Sequence, residues 1–170
     1  YYYYENGRIN RKENFKDGKL NGKWTYYYEN EQIEKEVNYK DGNRDGQWTY
    51  YHDNGQINSE ENYKNGRMDG GWTEYYSTGK KKRERNFKDG ERDGQWIYYD
   101  ENGEINREEY YQIGGKWSGL FVGFYDDGQI KEEQYYSDGK LYRIISYYYH
   151  ENGKIKRKIN YKDTRIIKVG

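Results

Sequence analysis

Two histidines, a set of paired aspartates and a column of glutamates are the residues of this 170-residue chain whose types could do chemistry. A zinc site or an acid/base pair would need His52 and His150 together. They stand at the same step of repeats four copies apart, and eight strands at about 4.8 Å hold them roughly 38 Å from each other in a regular sheet. They read as solvated members of a column. Corners such as Asp89-Gly90-Glu91-Arg92-Asp93-Gly94 bear a faint likeness to calcium loops but lack the alternating acidic ligands and final glutamate of an EF-hand. Turn chemistry explains them. Glu36, Glu60, Glu84, Glu108 and Glu133 form a column with Lys12 and Lys158 at its two ends. They are expected across from a tryptophan position, where solubility and pairing with neighbouring Lys or Arg account for them better than an acidic stripe for a basic partner. No nucleophile stands with a base and an orienting group, and no glycine-rich loop precedes a helix. The residues point to a non-enzymatic protein with no metal and no cofactor.

Composition narrows the classes further. Only 32% of the chain is hydrophobic, a share that includes 25 tyrosines, so a thick aliphatic core is not expected. Charged residues reach 35%, a level compatible with disorder, but 20% aromatic content and a strict period argue for a fold of thin layers. Lys plus Arg equals Asp plus Glu at 30 each, leaving no net field for nucleic acid or an anionic membrane. There is no cysteine, hence no disulfide or thiol chemistry, and no apolar run is long enough for a membrane-spanning helix. The chain begins at Tyr1 without a methionine or signal-like segment, as a processed or partial product would.

The elements that must position these residues are set by a period. Trp24, Trp48, Trp72 and Trp96 are evenly spaced, and the series continues one residue late with Phe121 and then with Ser146. With tryptophan as step zero, step three is aromatic throughout (Tyr3, Tyr27, Tyr51, Tyr75, Tyr99, Phe124, Tyr149). Step nine is isoleucine except at Lys81, and step fifteen is again aromatic, from Phe15 to Tyr161. Between these columns lie Glu/Asp-Asn-Gly hairpin signals and corners with two glycines, such as Asp17-Gly18-Lys19-Leu20-Asn21-Gly22. Turns every 11 to 13 residues with β-favouring residues between them predict two strands per repeat. The expected fold is all-β: an elongated, single-layer, open and twisted antiparallel meander of seven hairpin repeats, one array over 1–170. Its units are approximately 1–22, 23–46, 47–70, 71–94, 95–119, 120–144 and 145–170. Fourteen strands would extend about 65 Å.

Register follows from which steps vary. A three-residue Glu-Asn-Gly loop with its glycine left-handed would set Tyr27 across from Ile33; a two-residue loop would not. Steps two and four accept Glu74, Gly123, Asp100, His52 and His150, whereas step three accepts only aromatics. The three-residue loop is therefore predicted, with the Tyr27, Ile33 and Tyr39 columns on one buried side. Trp24 lies an odd number of residues from Tyr27, and a bulge between them would bury both. The irregular segment Gly114–Gly119 and the altered last unit, with Thr164, Ile166, Ile167 and Val169, suit end caps, and the C-terminal strand is available for pairing with another chain.

Gly46-Gln47-Trp48-Thr49-Tyr50-Tyr51, then Asn54-Gly55-Gln56-Ile57 and Asn62-Tyr63-Lys64-Asn65-Gly66, resemble the bacterial variant of the MORN repeat found in YwqK-type antitoxin-like proteins. That resemblance covers nearly the whole chain. It implies arrays of β-hairpins used as protein scaffolds or, in some members, near membranes, and it implies no enzymatic activity. The tyrosines at tolerant steps, Tyr26, Tyr28, Tyr50, Tyr76, Tyr98 and Tyr125, are expected to project from the face opposite Tyr27 and Ile33 and to bind a protein partner, since tyrosine offers contact area at low entropy cost. A partner of the antitoxin or immunity kind fits this reading. Cell-wall carbohydrate recognition by tandem aromatic hairpins is the alternative, and lipid headgroup contact is disfavoured by the zero net charge.

Overall fold

The computed structural model describes residues 1–112, 119–137 and 139–162. Among these residues there is no helix, and every ladder is antiparallel. The chain groups into two compact units, Tyr1–Glu91 and Arg92–Gly170. The first holds β1 (Tyr2–Tyr3), β2 (Ile9–Lys12), β3 (Phe15–Lys16), β4 (Lys19–Leu20), β5 (Gly22–Tyr27), β6 (Ile33–Lys40), β7 (Asn43–Arg44), β8 (Gly46–Tyr51), β9 (Ile57–Lys64), β10 (Arg67–Tyr75) and β11 (Lys81–Lys88). Strand β12 (Glu91–Arg92) falls at the boundary; β13 (Gly94–Tyr99), β14 (Ile105–Tyr111), β15 (Gly119–Phe124), β16 (Ile130–Ser137), β17 (Lys140–Tyr149) and β18 (Ile155–Lys162) follow. Eight strands in the first unit (β1, β2, β5, β6 and β8 to β11) and six in the second (β13 to β18) neighbour one another in chain order. That is the open hairpin meander, two strands per repeat, that the turn spacing predicts. Of the expected cap segments, 114–118 of the stretch 114–119 and the altered last unit from 164 to 170 lie outside the described residues.

Each hairpin closes on the predicted three-residue loop. The amide of Tyr28 donates to the carbonyl of Gln32 at 2.8 Å and that of Glu31 to Tyr28 at 3.0 Å, leaving Glu29, Asn30 and Glu31 as the loop. The third loop residue is left-handed, Gly55 at φ 83° and Glu31 at 69°, so the glutamate holds the same turn at some backbone cost. Tyr27 lies across from Ile33, Tyr51 from Ile57, Tyr99 from Ile105 and Phe124 from Ile130, as expected.

Three expectations are overturned. The bulge is not between Trp24 and Tyr27 but on the partner strand: Tyr27 pairs with Ile33 and Tyr26 with Lys35, leaving Glu34 as the extra residue. Strand β5 therefore alternates regularly, and Trp24 and Tyr27 stay on opposite faces. The same extra residue separates Ile33 from Tyr39. Tyr39 joins the tryptophan face, ring centroids 5.3 Å from both Trp24 and Trp48, while Tyr27 and Ile33 occupy the other. In the first unit the core is on the tryptophan side: Trp24, Val37, Trp48 and Tyr63, with Leu20, Tyr26, Tyr39, Tyr50 and Met68 packed around them. The glutamate column shifts by one step as well. Glu36 and Glu60 sit across from Thr25 and Thr49, not from tryptophan, because Trp24 pairs with Val37 and Trp48 with Glu61.

Corners use a second turn. Asp41 and Gly42 are both left-handed (φ 49° and 89°), the signature of a two-residue type I′ reversal. A further glycine four residues on, such as Gly46 or Gly70, bends the outgoing strand at positive φ. In β10 that bend separates Met68, paired with Tyr63, from Trp72, paired with Glu61. Gly70 has φ 106°, whereas the adjacent Gly71 has ordinary φ and an open Cβ site, its nearest atom 3.9 Å away. Gly70→Ala is expected to cost about 1–2 kcal/mol in urea unfolding. Gly71→Ala should leave the midpoint unchanged or raised, and equal effects would remove the assigned bend.

Candidate interaction face

A sheet of one layer has no second layer to cover its tryptophans, and for Trp24, Trp48 and Trp96 the cover comes from the corner four residues before. Leu20 and Met68 pack on the core at this step. Arg44 lies over Trp48 at 4.4 Å from the ring centroid and over Tyr63 at 5.1 Å; Arg92 repeats this over Trp96 at 4.6 Å and Tyr111 at 5.1 Å. Trp24, Trp48 and Trp96 are thereby buried. Where the lid is arginine, a buried glutamate sits thirteen residues after the tryptophan, Glu61 or Glu109. A tyrosine joins the two charges. Arg44 Nη1 donates to the Tyr63 hydroxyl at 3.2 Å, and that hydroxyl donates to Glu61 Oε2 at 2.7 Å. The copies at Arg92, Tyr111 and Glu109 are 2.9 and 2.6 Å. Glu109 also takes the Tyr98 hydroxyl at 3.2 Å and an ion pair from Arg107. Where the lid is Leu20 the partner is Val37, and where it is Met68, Arg85 covers Trp72 from the strand side at 4.5 Å.

Rings run continuously along this face: Phe15, Trp24, Tyr39, Trp48 and Tyr63 follow one another at centroid separations of 5.1, 5.3, 5.3 and 5.2 Å. The indole N–H groups of Trp24 and Trp48 donate to the Asn14 and Asn38 carbonyls at 2.8 and 2.9 Å. The Asn38 and Asn62 side chains then donate to the Gln47 and Gly71 carbonyls. On the opposite face the Tyr51 and Tyr75 hydroxyls donate to Glu36 and Glu60 of the preceding repeat, and Lys23 pairs with Glu36 at 2.6 Å. The glutamate column is thus occupied internally. In the second unit this face carries buried residues of its own, Val122, Ile145 and Tyr147. Val122 replaces the threonine at step one, and β17 has Ile144 where other repeats have a bending glycine.

Two depressions lie at equivalent places, between step four of one repeat and steps two and three of the next. One, of about 230 Å³, is lined by Tyr28, Glu34, Tyr50, Tyr51, Asn58, Ser59 and Glu61. The other, of about 500 Å³ in the second unit, is bordered by Tyr125, Tyr148, Tyr149 and His150, with Asp127 and Lys156 among its charges. The family model for the MORN repeat variant matches residues 20–41, 44–65, 68–89, 92–112, 117–138, 131–148 and 145–163. The chain belongs to the MORN repeat variant family. No curated protein matches it.

Of the six tyrosines singled out from the MORN sequence, five separate into two roles. Tyr26, Tyr50 and Tyr98 share the tryptophan face, opposite Tyr27, but Tyr26 and Tyr50 pack on the core and Tyr98 bonds to Glu109. Tyr28 and Tyr125 reach across the hairpin ends to the Tyr51 and Tyr147 carbonyls at 2.8 and 3.0 Å. Tyr76 lies beneath Lys82, 5.7 Å from its ring. Only Tyr28 and Tyr50 line one depression together, and Tyr125 lines the other. His52 takes the hairpin-end role, its ring 3.4 Å from the Tyr75 carbonyl and 3.2 Å from Asn58. Among the described residues no group of His, Asp and Glu is arranged to hold a metal ion. Sequence reasoning missed two columns: the corner lid, and the asparagines at step fourteen (Asn14, Asn38, Asn62, Asn86). Both had a signal in the copies, the first in the joint change of lid and step thirteen, the second in four identical residues.

The lid exchange between MORN copies generates a test. Arg44→Leu strips Trp48 and Tyr63 of their cation and is expected to cost about 1–2 kcal/mol. Arg44→Leu with Glu61→Val rebuilds the Leu20/Val37 pattern and should return within about 1 kcal/mol of wild type; additive losses in urea unfolding would sink the pairing.

Burial first, then the bond to Glu61, pushes the Tyr63 phenol up to about 12; burial and Glu60 do the same to Tyr75. An unfolded phenol titrates near about 10. The neutral phenols thus contribute stability that is fully present below pH about 10 and lost as pH rises to about 12. The urea midpoint should hold from pH 8 to about 9.5, then fall, and more shallowly in the double variant Tyr63→Phe/Tyr75→Phe. A pH-independent midpoint would contradict this assignment.

Proposed function

We propose that this MORN repeat array is a non-enzymatic scaffold that binds another protein, acting as a partner of the antitoxin or immunity kind. The observation that carries the reading is the recurrence of tyrosine-lined depressions at one place in the repeat, in the 23–70 hairpins and again in the 121–162 hairpins. Their linings combine steps two, four and ten, which the repeats allow to vary, with the aromatic of step three that builds the sheet, Tyr51 in one and Tyr149 in the other. Variation on a fixed frame is what a binding surface requires. Tyr148, 43% exposed, gives the second depression an open aromatic edge. Aromatic rings with flexible polar neighbours suit protein contacts.

The test is photo-crosslinking of the full chain in its native host, with benzoylphenylalanine at Tyr50 or Tyr148 and, as control, at Asn43 on a corner. The same discrete protein adduct from 50 and 148, and none from 43, is the expected result. Adducts from all three positions, or retention on purified cell wall in place of a protein adduct, would overturn the reading and favour the carbohydrate-binding alternative.

A further inference from the structure

On the tryptophan face, step two faces step eleven of the same hairpin, and in four hairpins among residues 1–111 step eleven is a cation seated on its step-two neighbour. Arg11 lies over Tyr2 at 4.1 Å from the ring centroid, Lys35 over Tyr26 at 4.3 Å and Arg107 over Tyr98 at 5.1 Å. In the repeat where step two is Glu74, Arg83 pairs with it at 2.5 Å. One hairpin breaks the rule. Tyr50 lies directly across from Ser59, and among the described residues no cation stacks on Tyr50.

The small side chain at step eleven lines a cavity, and the cavity walls keep the character of a cation site. The depression of about 230 Å³ is lined by Tyr28, Tyr50 and Tyr51, by Asn58 and Ser59, and by the carboxylates of Glu34 and Glu61, with no Lys or Arg among them. Ser59 and Glu61 are buried, at 6% and 9% exposure, so one carboxylate is held at depth. The nearby cations meet these carboxylates only in part: Lys35 sits over Tyr26 with Glu34 at 3.9 Å, and Arg44 covers Trp48 and Tyr63 and reaches Glu61 only through the Tyr63 hydroxyl. The volume is below the roughly 300–1,000 Å³ of small-molecule and cofactor pockets. It suits a single side-chain head group.

We propose that the Tyr50–Ser59 slot receives a guanidinium or ammonium group from a protein partner, an Arg or Lys that completes the pattern the neighbouring hairpins complete for themselves. The inference rests on the protein-binding reading above and names its anchor. Tyr50 offers a ring face of the kind its neighbours give to cations, and Glu61 supplies the compensating charge in a partly dry site, where both attractions exceed their value in water. Ser59 selects by being small.

The test uses the intact chain with N-acetyl-arginine amide as the probe and neutral N-acetyl-norleucine amide as control, followed by amide chemical shifts. Saturable shifts centred on Tyr50, Ser59 and Glu61 are expected with the arginine probe alone. Glu61→Gln should weaken binding at least fivefold. Ser59→Arg supplies the cation internally, as Arg83 and Arg107 do in their hairpins, and should abolish binding with an unchanged or higher urea midpoint. Absence of saturable shifts in the wild type, or their persistence in Ser59→Arg, would overturn the proposal; tighter binding of tetramethylammonium than of the arginine probe would reassign the slot to a free quaternary cation. A protein adduct from position 50 that survives in a chain unable to bind the probe sinks this inference and leaves the scaffold reading standing. Loss of adducts from both 50 and 148 sinks the scaffold reading itself.

Discussion

The covering of tryptophan in a sheet one layer thick is the constraint on which the rest of this structure depends. An indole half-open to water gains little from burial, and a hairpin carrying one tryptophan cannot bury it alone. The chain solves this at Trp24, Trp48 and Trp96 by folding the start of the corner back over the indole that follows, with Leu20, Arg44 or Arg92 as the lid, while Met68 at the same step packs on the core beside Tyr63. An arginine lid brings a charge that must be balanced, hence Glu61 or Glu109 and the bridging tyrosine hydroxyl. An apolar lid needs none of these. The alternation of Leu20, Arg44, Met68 and Arg92 is the mark of two equivalent solutions to one packing problem.

Adjacent repeats are coupled by bonds that reach from one repeat to the next. The Tyr28 hydroxyl meets the Tyr51 carbonyl, the Asn54 side chain the Ser77 carbonyl, and the Gly66 amide the Arg44 carbonyl. Asp45 and Asp69 accept the amides of Asn65 and Asp89 in the next corner, which holds the Asp69 carboxyl below its ordinary range, chiefly through the Asp89 amide. Stability in such an array is a sum of repeat and nearest-neighbour terms. A substitution at a variable step therefore perturbs one hairpin and its neighbour, which lets a MORN array carry different side chains along the same frame.

The candidate site follows from that freedom. Most charges on the tryptophan face are satisfied inside their own hairpin: Lys35 by Tyr26, Arg83 and Arg85 by Glu74, Arg107 by Tyr98 and Glu109. Among residues 1–111 a small residue, Ser59, breaks the arrangement and lines a cavity with two carboxylates on its wall. Zero net charge conceals this local asymmetry, because the acidic slot is offset by cations stacked on rings in the adjoining hairpins.

From the sequence by itself came the period, the antiparallel hairpins, the three-residue loops and the pairing of Tyr27 with Ile33, because loop chemistry and backbone pairing are decided by residues next to one another. Tyr51, Tyr75 and their equivalents also announced their importance by being aromatic in every copy. Which face was buried did not follow. Alternation along a strand assigns faces only while the register is unbroken, and the extra residue at Glu34 and its counterparts exchanges the two sides within each hairpin. Nothing in the residue types at that step marks a bulge: it is Glu34, Asn58, Lys82 or Asn106. The tertiary structure decided the matter because a bulge is fixed by the fit between two strands, here the packing of Tyr39 against Trp24 and Trp48 on one side and of Tyr51 against Glu36 on the other.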